Sequence, residues 1–157
     1  GGAGILGMLG CEQILRETDL DRVKRVFVAC GTGTTISGMA TYLKTLDNSP
    51  ELIGRQVLKG ERYIAQDIEQ DYGIKNVRIL DQYHCGGYAR TTPELIDFIK
   101  EFTQQTGVLL DPIYTGKMML AIQKCCENGM ISKGEHILAV HTGGLTGWFG
   151  KSHELGF

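Results

Sequence analysis

The sequence lacks the features that mark membrane and secreted proteins. No apolar run approaches the roughly eighteen residues that a membrane-spanning helix needs, and the chain does not open on a signal peptide. The five cysteines are odd in number and include no Cys-x-x-Cys pair, which argues against a disulfide framework. We therefore expect a soluble cytoplasmic protein from a reducing compartment, with no membrane partner.

The chain also lacks an excess of charge. Its net charge is −2 and it shows no basic stripe, which excludes an electrostatic nucleic-acid binder. No set of His, Cys, Asp and Glu has the spacing of metal ligands, so no metal is expected. What remains is 157 residues, 42% of them hydrophobic, which suits one globular domain with its own core.

Glycine is the one residue type in excess. The 22 glycines amount to about twice the usual share, and they fall in clusters at 1–10, 31–38, 86–87 and 143–150. Clustering of this kind indicates functional turns, whereas an even spread of glycine would indicate a flexible linker.

Short apolar strands alternate with helical segments along the chain. The periodicity predicts strands at 25–30, 55–58, 77–80 and 137–140, and helices at 4–17, 35–46, 61–71, 93–106 and 118–126, with Gly73 and Gly107 as stops. This alternation predicts an α/β fold: an open, mainly parallel twisted sheet with helices on both faces.

The polar turns of this predicted fold follow strand ends. They lie at 31–35, 82–88, 112–117 and 141–144. In a parallel sheet, ligands bind beyond the carboxyl ends of the strands, so four such turns converging on one edge predict a cofactor site there.

The most informative stretch is 26–38, Val-Phe-Val-Ala-Cys-Gly-Thr-Gly-Thr-Thr-Ile-Ser-Gly. A strand, a glycine–threonine turn and a helix form a cradle for phosphate, because the first N–H groups of the helix point at the anion. The stretch is neither a Walker A loop nor a complete dinucleotide fingerprint. A tight strand–helix turn capped by Thr34 or Thr35 is the alternative.

Four motifs in order carry a family resemblance: Gly1-Gly2-Ala3-Gly4, Cys30-Gly-Thr-Gly-Thr-Thr, Asp111-Pro-Ile-Tyr-Thr-Gly-Lys117 and His141-Thr-Gly-Gly144. The chain resembles the 1-aminocyclopropane-1-carboxylate deaminase / D-cysteine desulfhydrase family, pyridoxal-phosphate enzymes of fold type II, which are tryptophan synthase β-like. The resemblance implies pyridoxal 5'-phosphate as cofactor, a small amino acid as substrate and a homo-oligomer, a dimer. It also implies that residues 1–157 are a C-terminal fragment, most of the large domain, and that the small domain and the Schiff-base lysine lie upstream.

The resemblance assigns roles to individual residues. The cofactor phosphate would be held by Gly31, Thr32, Gly33, Thr34 and Thr35. Thr115 would hydrogen-bond the pyridine nitrogen. The catalytic positions would be Tyr114, which would face the substrate, Thr142 near the ring, and Tyr88 in the glycine loop.

Two of these positions distinguish the branches of the family. The deaminases that open the cyclopropane ring carry glutamate where Thr115 stands and leucine where Thr142 stands. With threonine in place of this glutamate, the pyridine ring of the cofactor would be a weaker electron sink, which suits α,β-elimination. The resemblance therefore implies D-cysteine desulfhydrase-like chemistry, which yields pyruvate, sulfide and ammonia, although the final Thr-Gly-Gly-Leu-Thr-Gly-Trp departs from the better-known desulfhydrases.

Two alternatives stay open at this point. One is 1-aminocyclopropane-1-carboxylate deaminase; the other is a non-catalytic phosphate-ligand binding or interaction domain. The fragment alone, without its lysine, is expected to bind phosphate weakly and not to catalyse. We also expect Lys117 to be an exposed or partner-bound helix start and His141 to be a buried strand end. One of Cys125 and Cys126 should lie in the core.

Overall fold

The structure, a computed structural model, describes residues 4–57, 63–75, 77–82 and 85–156. The strands are β1 (Arg25–Cys30), β2 (Glu51–Gln56), β3 (Arg78–Leu80) and β4 (Ile137–Val140). The helices are α1 (Ile5–Arg16), α2 (Thr34–Leu43), α3 (Tyr63–Tyr72), α4 (Pro93–Thr106), α5 (Thr115–Glu127) and α6 (Ser152–Leu155), with a 3-10 turn at Leu145–Trp148.

The described strands form one parallel sheet in the order β3-β2-β1-β4. Strand β1 lies in the middle, with Arg25 opposite Glu51 of β2 and Ile137 of β4. Parallel strands need crossover connections, and the helices between them supply these and cover the sheet. The predicted fold class, an α/β fold with a parallel sheet and helices on both faces, is confirmed.

Strand β1 has one apolar set of side chains for each face of the sheet. Val26, Val28 and Cys30 belong to the core formed with α1, α2 and α3. Phe27 and Ala29 belong to the core formed with α5. Successive side chains of a strand point to opposite faces, so a strand that is covered on both sides must be apolar at every position.

Helices α1 and α2 pack closely at Gly38, where a Cβ atom would collide with the backbone of Met8. The apolar face that the periodicity predicts on α1 is covered only in part. Leu15 is buried, whereas Leu6 is 86% exposed and Ile5 is 64% exposed. The amino-terminal turns of α1 therefore leave an apolar surface open.

The predicted elements all exist, and their boundaries differ in ways that tertiary contacts explain. Strand β2 starts at Glu51 and not at 55, because the Glu51 N–H bonds the Lys24 carbonyl beside β1. Helix α2 ends at Leu43 and not at 46, since the N–H groups of Thr45 and Leu46 bond three residues back in tighter turns. Helix α3 begins at Tyr63 within the described residues, and the predicted positions 61 and 62 lie outside them.

The polar turn at 112–117 was predicted to follow a strand and to precede a helix that starts at 118. Both expectations are wrong. Residues 107–111 form no strand, and α5 already begins at Thr115. The carboxylate of Asp111 accounts for the early start, because it accepts hydrogen bonds from the N–H groups that open the helix.

Candidate functional site

The turn after β1 brings the amino terminus of α2 to the carboxyl edge of the sheet. Gly33 is the residue before α2, and it has a left-handed backbone with φ +80°. A Cβ atom there would stand 2.5 Å from Cγ1 of Ile68, so glycine is required for both conformation and space. No side chain caps α2 in the part of the chain that the structure describes, so the predicted alternative of a Thr34 or Thr35 cap is wrong.

The uncapped start of α2 is suited to an anion. The first N–H groups of a helix have no acceptor within the helix, and the helix dipole makes this end partly positive. The Ser37 N–H already bonds the Gly33 carbonyl, which leaves the N–H groups ahead of it for a ligand. Thr35 stands in the same turn and lines the cavity described next.

A cavity of about 340 Å³ opens on this turn. It is lined by residues 29–36, Tyr114, residues 142–144, and Gly7 and Cys11 of α1. The structure therefore brings together the predicted phosphate loop and two of the three predicted catalytic residues, Tyr114 and Thr142. Cys11 was not expected there, and only the packing of α1 on α2 reveals it.

A larger cavity, of about 680 Å³, lies at the opposite edge of the sheet. It is lined by residues that precede β1 and β2, among them Lys24 and Pro50. It contains no glycine turn and no helix start, and ligands of parallel sheets bind at the carboxyl edge. The smaller cavity is therefore the candidate site.

Tyr114 forms one wall of the cavity, and Tyr88 supports it from outside. The Tyr114 ring packs against Gly31, where a Cβ atom would be 3.2 Å from Cε1. The two tyrosine rings meet edge to face, 6.2 Å apart. Burial raises the pKa of Tyr114, and a hydrogen bond with the Tyr88 side chain raises it further. The Tyr114 hydroxyl therefore stays protonated at neutral pH and can donate a proton.

Asp111 organises the start of α5 beneath Tyr114. Its fully buried carboxylate accepts hydrogen bonds from the N–H groups of Ile113, Tyr114 and Thr115, each at 2.8 Å. The Thr115 hydroxyl donates a fourth, also at 2.8 Å. The sequence contains a signal for this role that the analysis of motifs missed: an aspartate shortly before a helix commonly accepts hydrogen bonds from its first N–H groups.

Thr115 is not brought to the cavity. Its side chain is fully buried, and its hydroxyl also accepts a hydrogen bond from the Asp111 N–H at 3.0 Å. The contact with a pyridine nitrogen that the resemblance implies for Thr115 stays a prediction. In this structure the hydroxyl proton is already donated to Asp111.

Lys117 is buried, which corrects the expectation of an exposed helix start. Its ammonium donates a hydrogen bond of 2.6 Å to the carbonyl of Gly87. Burial lowers the pKa of Lys117. The lysine thereby ties the start of α5 to the loop that carries Tyr88.

Arg55 of β2 is a second buried cation that sequence reasoning missed. Its guanidinium donates hydrogen bonds to the carbonyls of Gln56 and Leu80, the latter at 3.2 Å. Burial lowers the pKa of Arg55 to about 10. The side chain joins the carboxyl ends of β2 and β3, and an arginine within an apolar strand was the available signal.

His141 is exposed, so the predicted burial of this strand end is wrong. Its ring still makes hydrogen bonds: Nδ1 accepts from the Gly143 N–H at 3.1 Å, and Nε2 lies 3.3 Å from the Leu109 carbonyl. The bonds shape the turn in which Thr142 faces the cavity. Cys125 is buried and Cys126 is exposed, as predicted.

Metal-ligand clusters and membrane-spanning helices are both absent from the described residues. These residues contain no group of three or more His, Cys, Asp and Glu side chains that could hold a metal ion. No helix among them is long and apolar enough to cross a membrane. Tyr83 and His84 of the predicted turn 82–88, and Gly1, Gly2 and Ala3 of the first motif, lie outside the described residues.

Comparison with known proteins gives consistent matches. Residues 2–143 match the family described as pyridoxal-phosphate dependent enzyme. An Arabidopsis thaliana bifunctional D-cysteine desulfhydrase/1-aminocyclopropane-1-carboxylate deaminase is 29% identical over 180 aligned residues, which cover 99% of this chain and 43% of that protein. A Klebsiella pneumoniae D-cysteine desulfhydrase is 29% identical over 171 aligned residues, which cover 99% of this chain and 52% of that enzyme.

A solved structure supports the same relation. The crystal structure of an ACC deaminase homologue matches with a TM-score of 0.78 and 27% identity, over 96% of this chain and 49% of that one. The chain thus spans about half the length of the curated relatives it matches. These matches confirm the predicted family resemblance and, with it, pyridoxal phosphate as the cofactor.

Proposed function

Since this chain belongs to the family of pyridoxal-phosphate-dependent enzymes, we propose that its 340 Å³ cavity holds the cofactor with the phosphate at the start of α2. The observation that carries the proposal is the uncapped helix behind Gly33, which offers backbone N–H groups and no competing side chain. Thr32 and Thr35 add hydroxyl donors at the same turn, whereas the Thr34 hydroxyl is already hydrogen-bonded with those of Thr32 and Tyr72.

The residues of the cavity fit such a group. A phosphate needs close approach of the backbone, and the two glycines of the turn provide it. The ring would lie toward Tyr114, with Thr142 on the turn opposite. When bound, the cofactor supplies an electron sink for bonds at the α-carbon of an amino acid.

We propose that the whole protein eliminates a leaving group from the β-carbon of a small amino acid, as a D-cysteine desulfhydrase does. Tyr114 is the proton donor in this proposal. The phenol is protonated at neutral pH and, since burial raises its pKa further, stays so, which lets it donate a hydrogen bond to the sulfur that departs as hydrosulfide. Tyr88 holds the Tyr114 ring, and Thr142 contacts the substrate from the turn after β4.

A second candidate, 1-aminocyclopropane-1-carboxylate deaminase, is favoured by the names of several relatives. The family resemblance argues against it, because the deaminase branch has glutamate and leucine at positions 115 and 142. The residues outside this chain would complete either enzyme. We propose that residues 1–157 form most of its large domain and that a homodimer is the working unit.

The test is a paired assay of the intact protein with pyridoxal phosphate. We expect sulfide and pyruvate from D-cysteine, and no ketobutyrate from 1-aminocyclopropane-1-carboxylate. The Tyr114→Phe variant should lose most of the elimination, whereas Tyr42→Phe, which changes a tyrosine at the opposite edge of the sheet, should lose none. Ketobutyrate as the main product would establish the second candidate, and no product from either substrate would overturn both.

A further inference from the structure

The hydroxyl of Tyr72 joins three separate parts of the chain at the rim of the cavity. Tyr72 is the last residue of α3. Its Oη lies 2.8 Å from Oγ1 of Thr34 and 3.2 Å from the backbone nitrogen of Gly4, which precedes α1. The Thr34 hydroxyl in turn lies 3.0 Å from that of Thr32. A continuous chain of hydroxyls therefore runs from Gly4 to the phosphate loop.

The hydrogen bonds between these hydroxyls can run in either direction, and an anion in the cavity would favour one of the two. The Gly4 N–H can only donate, so Oη of Tyr72 is the acceptor there, and its one proton is free for Thr34. Thr34 then donates to Thr32. The proton of Thr32 remains, and Thr32 is exposed and lines the cavity. In the reverse direction Thr32 would turn an acceptor oxygen toward the cavity, which an anion disfavours.

We propose that Tyr72 is a positioning residue of the phosphate cradle, which directs the hydroxyl proton of Thr32 toward a bound phosphate. The inference rests on the proposed function, because it specifies how the same cavity recognises its anion. Thr34 is 6% exposed, so its hydroxyl depends mainly on Tyr72 and Thr32 for its hydrogen bonds. Tyr72 lies outside all four motifs, and only the packing of α3 against the loop places its hydroxyl here.

The experiment measures how tightly the intact protein binds pyridoxal 5'-phosphate and pyridoxal, which lacks the phosphate. The variants are Tyr72→Phe, Thr32→Val and the double variant. Tyr42→Phe is the matched control, because Tyr42 lines the cavity at the opposite edge of the sheet. Phenylalanine keeps the ring of Tyr72 and removes only the hydroxyl, so circular dichroism should show an unchanged fold.

We expect Tyr72→Phe to weaken pyridoxal 5'-phosphate binding about fivefold, as loss of one neutral hydrogen bond would, and to leave pyridoxal binding unchanged. Thr32→Val should weaken it by a similar factor. The double variant should bind no worse than Thr32→Val alone, because Tyr72 acts through that hydroxyl.

Three results would overturn the inference. An unchanged affinity in Tyr72→Phe would show that the hydroxyl chain does not reach the phosphate. Equal losses for the two ligands, or losses that add up in the double variant, would show that Tyr72 only supports the loop. If the unchanged protein bound pyridoxal as tightly as pyridoxal 5'-phosphate, the cradle itself would be refuted, which separates failure of the proposed function from failure of this inference.

Discussion

Helices α2 and α5 both begin at the candidate site, and their amino termini are built in opposite ways. The first N–H groups of α5 are occupied by the carboxylate of Asp111, which is fully buried. The first turn of α2 follows Gly33, has no side-chain cap among the described residues and borders the cavity. A helix start attracts one anion. The protein supplies that anion for α5, whereas no described side chain supplies one for α2.

The comparison predicts the largest effect for removal of the internal anion. Asp111→Ala would leave three N–H groups and a threonine hydroxyl without their acceptor in a buried place, which we expect to lower the unfolding free energy by about 4 kcal/mol. Urea unfolding followed by circular dichroism measures it. The control is Asp19→Ala, which removes an exposed aspartate that accepts one backbone hydrogen bond, and should cost about 0.5 kcal/mol. Similar losses in both variants would contradict the role of Asp111.

The next effect concerns the open helix start. Gly33→Ala would force a side chain into a left-handed backbone and against Ile68, at about 3 kcal/mol, and it would weaken binding of pyridoxal 5'-phosphate. Gly129→Ala is the matched control. Its φ of +77° is nearly the same, but a Cβ atom there meets nothing within 4 Å, so only about 1 kcal/mol of backbone strain is expected. Equal unfolding energies and unchanged binding would refute the cradle geometry.

A third prediction concerns the hydrogen bond by which Lys117 ties the start of α5 to the loop that carries Tyr88. Lys117→Ala would remove the 2.6 Å hydrogen bond to the buried carbonyl of Gly87, which keeps only a longer one of 3.3 Å from the Arg90 N–H, and would open a cavity. We therefore expect a loss of about 2 kcal/mol in unfolding free energy. Thermal unfolding gives the measurement. Lys124→Ala, on the same helix but with ion pairs at its surface, should not differ measurably from the unchanged protein. If neither substitution lowered the stability, the hydrogen bond between Lys117 and Gly87 would not contribute to it.

The smallest effect is a shift in a titration. Because the Tyr114 pKa is raised, the folded protein keeps a proton that the unfolded chain releases near pH 10, so the unfolding free energy falls as the pH rises through that value. Tyr88→Phe should bring the Tyr114 pKa partway back toward its ordinary value, since burial, the larger cause, remains. Ultraviolet absorbance of the phenolate reports this shift, with Tyr114→Phe identifying the signal. A pKa unaffected by Tyr88→Phe would contradict the tyrosine pair.

Some elements could be predicted from the sequence pattern of their own residues. Strands β1 and β4 match their predicted bounds, because apolar runs of four to six residues end at polar turns. The start of α5 could not be predicted in the same way. Thr115, Gly116 and Lys117 read as a turn, and they become helical because a carboxylate four residues earlier accepts their first hydrogen bond.

Burial of polar side chains escaped prediction for a related reason. A lysine is ordinarily exposed, and Lys117 is buried only because the Gly87 carbonyl lies within 2.6 Å of its ammonium. His141 shows the converse, since this residue directly after β4 is exposed although its ring lies within hydrogen-bond distance of the Leu109 carbonyl. Both outcomes depend on neighbours that lie thirty residues or so away in the chain.

The sequence by itself determined the alternation of strands and helices, the parallel sheet, the family and the glycine turn that opens α2. Each of these depends on periodicity or on the conformational range of glycine, which are properties of neighbouring residues. Only the tertiary structure decided which helix start has no side-chain cap among the described residues and that Tyr72 meets the turn after β1. It also decided that Lys117 and Arg55 are buried. These features depend on hydrogen bonds and packing between residues distant in the chain, which no local pattern records.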